Sequence, residues 1–130
     1  MGPIRVIAGL LDTQVLLWAL SADERLPAWL GEAVSRDAAS FGVSDVSLWE
    51  IAIKRSTGKL RAPDDLPDVV ADVGFHQVSI TGSQVWAVRD MPLHHRDPFD
   101  RLLIAQALDL GTPLVTADQA LAAYDVPVLW

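Results

Sequence analysis

Short apolar runs alternate with helix-like patterns along this whole chain, and that alternation confines it to few folds. Residues 5–11 are nearly continuous in apolar side chains, as befits a strand buried on both faces of a parallel sheet. Residues 41–46, 76–80, 113–115 and 126–129 are the other strand candidates. Between them the apolar positions take helical spacing over 13–20, 27–39, 47–56 and 98–110. Shorter helical turns are expected over 66–73, 81–88 and 118–123. Local signals agree: Pro27 suits a first turn, Thr81 with Gln84 fits a capping box, and Gly58 and Gly111 suit helix ends. The expected fold class is α/β, with helices on both sides of a parallel sheet. No linker, repeat or low-complexity tract interrupts the 130 residues, so residues 1–130 are expected to form a single domain.

Composition narrows the function classes. Hydrophobic residues make up 51% of the chain, which predicts a well-filled core or an apolar surface that a partner covers. There is no cysteine, so disulfide scaffolds and thiolate zinc sites are excluded and a cytoplasmic location is the expectation. No apolar run reaches the roughly 20 residues that span a bilayer, so no membrane partner is expected. A net charge of −7 argues against a general electrostatic nucleic-acid binder. The cations are clustered, however: Lys54, Arg55, Lys59 and Arg61 lie close together, and Arg89, Arg96 and Arg101 flank Asp100. Any polyanion site is therefore local.

Four acids stand where an apolar stretch gives way to a helix pattern. They are Asp12 in LLDTQVLLWAL, Glu50 in SLWEIAIKRSTGKL, Asp100 in HHRDPFDRLLIAQAL and Asp118 in LVTADQAL. Each has a structural explanation. Asp, Ser and Thr cap helices; Ser47 with Glu50 fits a capping box; Asp97 before Pro98 fits a cap, with Asp100 favourable near the helix dipole; Thr116 or Asp118 suits the last helical turn. The conjunction suggests more. Gathered carboxylates repel, and a cation among them relieves the cost. An oxygen-only donor set with no Cys/His pattern favours Mg²⁺ or Mn²⁺. Asp12 and Asp118 also fall just past strand candidates, where open α/β sheets place their sites.

These pieces carry a family resemblance. LLDTQVLLWAL, VSLWEIAIKRSTGKL, HHRDPFDRLLIAQAL and LVTADQAL with Tyr124 behind it stand in the order and spacing of PIN-domain ribonucleases, and more closely resemble VapC-type toxins of toxin–antitoxin pairs. The resemblance implies a three-layer α/β/α sandwich, a homodimer, Mg²⁺-dependent RNA cleavage and a VapB-type antitoxin that blocks the site. It makes Asp12, Glu50, Asp100 and Asp118 the metal-binding and catalytic acids. Asp12 and Asp100 are then direct ligands, Glu50 binds metal or orients water, and Asp118 binds a second metal or acts through water. Thr13 and Thr116 are expected to hold carboxylates or waters in place, and Asp97 is either a cap or a further acid beside Asp100.

Other residues are read more plainly. His94 and His95 are expected to be solvated or to contact RNA, and His76 to be structural. Lys54 lies four after Glu50, which fits a helical ion pair or a phosphate contact. Arg55, Lys59, Arg96 and Arg101 are its candidate companions on phosphate. Trp18, Trp29 and Trp49 are expected to anchor the core or an interface, with Trp49 more simply packed than stacked on a base. Two rivals remain: a PIN-like binding module with little turnover, and a phosphorelay receiver, which the scarcity of lysines makes a poor fit.

Overall fold

The computed structural model describes residues 7–94 and 96–130. It contains a five-stranded, all-parallel sheet in the order β3-β2-β1-β4-β5. The strands are β1 (Gly9–Leu11), β2 (Phe41–Ser44), β3 (His76–Val78), β4 (Leu114–Val115) and β5 (Val128–Leu129). The helices are α1 (Thr13–Ser21), α2 (Ala28–Asp37), α3 (Asp45–Ser56), α4 (Leu66–Val73), α5 (Gly82–Ala87) and α6 (Pro98–Leu110). Leu10 pairs with Gly42 on one side and Leu114 on the other, so β1 is central.

Strand alternation divides the core into two layers. Leu10 and Leu114 point to the side packed by α6, with Leu103, Ile104 and Ala107. Leu11, Val43 and Val115 point to the other side, with Val15 and Leu16 of α1, Leu30 of α2 and Val70 of α4. Both faces are covered, which is why the strands read as apolar runs rather than alternating ones. The centre of the sheet is tight: a Cβ on Gly9 would lie 2.5 Å from Val115 Cγ2. The expected three-layer α/β/α sandwich is what the chain forms.

Local chemistry set several boundaries as expected. Helix α6 spans Pro98–Leu110, begins at the cap Asp97 and ends at Gly111 with φ 64°. Thr81 and Gln84 form the reciprocal capping box of α5. Other boundaries moved. Strand β2 stops at Ser44, whose side chain accepts from Val46 N and caps α3, so Ser47 lies inside the helix rather than at its start. Residues 119–124 wind as a 3-10 helix instead of an α-helix. Described pairing in β1 starts at Gly9; residues 5 and 6 of the expected strand lie outside the described residues.

Helix α3 is the element that matters most for function. It packs on both α1 and α6, and its Val46 and Ile51 belong to opposite core layers. It therefore crosses the carboxyl end of the sheet. The strand order reverses between β1 and β4, and the chain ends of those two strands open beside α3 and the start of α6.

Candidate active site

At that reversal point the protein has a cleft of about 390 Å³. It is lined by Asp12, Glu50, Asp97, Asp100 and Asp118, with Thr13, Lys54 and Lys59 among them. Four separate places in the fold supply the five acids. Asp12 follows β1 and caps α1, Glu50 comes from the middle of α3, Asp97 caps α6, Asp100 sits in its first turn, and Asp118 follows β4. The capping readings thus hold for Asp12, Asp97 and Asp118, and the same caps deliver those carboxylates to one cleft.

Asp12 is the most constrained. It is buried, its Oδ1 accepts from Val15 N at 2.8 Å, and the Thr116 hydroxyl bonds to its carboxylate. Burial raises its pKa from 3.8 to about 6, the two hydrogen bonds pull it back, and the negative charges of Asp100 and Glu50 add to the rise. Thr116 is fully buried and also accepts from Asp118 N at 3.0 Å, so one hydroxyl links two of the acids.

Glu50 is held on both oxygens. Thr13 Oγ1 donates to Oε1 at 2.7 Å, and Lys54 Nζ lies 2.5 Å from Oε2. The Lys54 side chain is raised in pKa by that hydrogen bond, with Asp97 and Asp100 adding to it. The helical pair read from the sequence is therefore present, and it stands within the acid cleft. Ser47, one turn before Glu50, lies 3.1 Å from the Thr13 hydroxyl and completes a buried Thr13–Ser47–Glu50 cluster. Sequence reasoning assigned Ser47 to a cap and missed this; its three-residue offset from Glu50 was the available signal. Gln14, also on the cleft wall, had none.

The remaining cations separate. Lys59 lines the cleft and Arg96 is exposed directly before Asp97. Arg55 pairs with Asp64 outside the cleft lining. Arg101, expected on phosphate, is buried instead: its guanidinium donates to the carbonyls of Val88, Met91 and Pro92 and reaches the Tyr124 hydroxyl. The cause is its place on α6, one residue round from Asp100, which turns it into the core side. It anchors the segment leading into α6. His94 is exposed and meets the Tyr124 ring edge-on at 5.0 Å, and His95 lies outside the described residues. Trp29 and Trp49 are exposed rather than core, whereas Trp18 is half-buried against Trp130.

The donor set fits a hard divalent cation. It is oxygen-rich, and its buried Asp12 is costly to ionise without a nearby positive charge. Among the described residues no three or more His, Cys, Asp or Glu side chains stand close enough together to hold a metal ion. An ion such as Mg²⁺ needs only one or two carboxylates and keeps several waters.

A sequence profile for the PIN domain matches residues 9–127. No curated protein matches the chain by sequence. Among solved structures, a chain of VapBC2 from Rickettsia felis, crystallised bound to a DNA fragment from their promoter, superposes with a TM-score of 0.68. The match is 12% identical in sequence and covers 92% of this chain and 96% of that one, so what is shared is the fold.

Proposed function

The chain belongs to the PIN domain family, and from that premise we propose that it is a Mg²⁺-dependent endoribonuclease, the toxin of a VapBC-type toxin–antitoxin pair. One observation carries the reading: five carboxylates from four parts of the fold border one cleft, and burial with neighbouring negative charge pushes Asp12 up to about 6. An arrangement that costs stability when empty of cations is explained by a cation and an anionic substrate that use it.

In this proposal Asp12 and Asp100 hold the metal, with Asp118 and Asp97 reaching it directly or through water. When bound, the ion acidifies water and neutralises charge on the phosphate. Glu50, fixed by Thr13, orients the attacking water, and Thr116 keeps Asp12 and Asp118 in register. Lys54 stands beside the acids as the cation for a non-bridging phosphate oxygen, with Lys59 and Arg96 on the approach. Water attacks phosphorus in line and the 3′-oxygen leaves, which gives 5′-phosphate and 3′-hydroxyl ends. Mn²⁺ is expected to substitute for Mg²⁺ at such oxygen ligands.

A VapB-type antitoxin is the proposed protein partner. A groove of about 370 Å³ between α1 and the segment before α4 adjoins the cleft through Gln14, Leu17 and Leu60. Its apolar Leu17, Leu20 and Leu66 suit a helix laid across it. A homodimer is proposed as well, because Trp86 and Leu93 are 67% and 75% exposed and a second copy would cover such surface. The alternative, a PIN-like binding module with little turnover, draws on the engagement of Glu50 by Lys54.

End-group analysis of the cleavage products tests the mechanism. Ligatable 5′-phosphate and free 3′-hydroxyl ends are expected. A 2′,3′-cyclic phosphate would mean attack by the RNA's own 2′-hydroxyl and would overturn the assignment of the acids.

A further inference from the structure

Helix α3 presents two neighbouring stripes. Glu50 and Lys54 face the acid cleft, and Trp49 and Ile53, equally spaced one residue earlier, lie beside them and are 51% and 39% exposed. The Trp49 ring is fixed along one edge: it meets Phe99 at 4.8 Å between centroids and 75° between planes. Phe99 precedes Asp100, so this aromatic pair joins α3 to the first turn of α6 at the rim of the cleft. We propose that Trp49, steadied by Phe99, is a nucleobase-stacking platform that holds single-stranded RNA with its phosphate over the acids.

The chemistry of the chain favours this occupant. A net charge of −7 denies the protein the long-range attraction on which most nucleic-acid binders rely. Affinity must then come from short-range contacts, and an aromatic face gives every base one without regard to sequence. The platform stands next to the cations proposed for phosphate, Lys54 on its own helix and Arg96 before α6. The other exposed indoles lack that setting, and Trp130 rests against Trp18 at 5.8 Å between centroids. Trp29 lies on α2, and Trp86 lies under the Arg89 guanidinium at 5.0 Å; neither adjoins an acid of the cleft in sequence. Stacking requires unpaired bases, so the substrate class is a single-stranded segment or loop rather than a duplex.

The inference rests on the nuclease reading, and its test separates the two. Full-length protein carrying Asp12→Asn, which is expected to bind without cutting, is titrated into a short dye-labelled single-stranded RNA with Mg²⁺ and followed by anisotropy. Adding Trp49→Ala should weaken binding about tenfold, Trp49→Phe should restore most of it, and Trp49→Leu should not. The same RNA made wholly abasic should lose sensitivity to Trp49→Ala. Circular dichroism and light scattering accompany each variant. Unchanged binding by folded Trp49→Ala, or rescue by Leu, would overturn the stacking role. So would a dimer that falls to monomer with Trp49→Ala, which would make this face a contact between copies. Any of these results leaves the cleavage assignment standing, because that depends on the acids and not on Trp49.

Discussion

Replacing Asp12 by Asn should make the metal-free protein more stable at neutral pH and less stable in acid. The raised pKa fixes the sign. Between 3.8 and about 6 the native state holds a proton on Asp12 that the unfolded chain has lost, so stability falls as pH rises through that window. Above it the full penalty applies. The rise from 3.8 to about 6, at about 1.4 kcal/mol per pH unit, amounts to about 3 kcal/mol. Asn keeps an oxygen for Val15 N but forces the Thr116 hydroxyl to turn from donor to acceptor, at a cost of about 1 kcal/mol. The variant should therefore gain about 2 kcal/mol at pH 7.5 and lose about 1 kcal/mol near pH 4. For a chain of this length that is a rise in Tm of roughly 6–10 °C at neutral pH. The assay is thermal melting of both proteins in EDTA across pH 4–8. A difference in Tm that does not change with pH, or a variant less stable than its parent at pH 7.5, would refute the electrostatic account of the cleft. Millimolar Mg²⁺ should then raise the Tm of the parent and leave Asp12→Asn nearly unmoved.

Three further outcomes are expected. Thr13→Val removes the hydroxyl that holds Glu50 and leaves Ser47 short of a partner; cleavage should fall at least tenfold while stability drops by about 1–2 kcal/mol, read from rate assays and urea titration together. Gln106→Leu should cost about 2–3 kcal/mol, because buried Gln106 accepts from Ser44 Oγ at 2.5 Å and donates to Ser79 O and Gln84 Oε1; a loss below about 0.5 kcal/mol would count against the network. Arg101→Met should loosen residues 88–92, seen as faster amide exchange there than in α6, since their carbonyls lose their guanidinium partner.

The parallel α/β architecture was legible because both sheet faces are buried, which turns strands into apolar runs flanked by helical periodicity. Helix α6 was legible to the residue because Asp97-Pro98 and Gly111 mark its ends with backbone chemistry that leaves little choice. The start of α3 was not. Ser44 and Ser47 are equally good caps by type, and only the depth of β2 in the sheet decides between them. The acids at the junctions could be singled out, and their convergence follows from the strand order, which places the ends of β1 and β4 together under α3. Arg101 escaped because a cation next to Asp100 suggests a phosphate contact, while its rotation on α6 sends it inward. Trp49 was weighed for base stacking but read as packed, since a tryptophan between Leu48 and Ile51 suggests core, and only the tertiary position of α3 exposes it.

The most direct test of the central claim is cleavage of total cellular RNA by the purified protein with Mg²⁺ or with EDTA, beside Asp12→Asn and Asp100→Asn. Discrete cuts that require Mg²⁺ and vanish in both folded variants are the predicted result. Cuts that persist in EDTA, or that both variants make as well as the parent, would contradict a metal-dependent nuclease built on these acids.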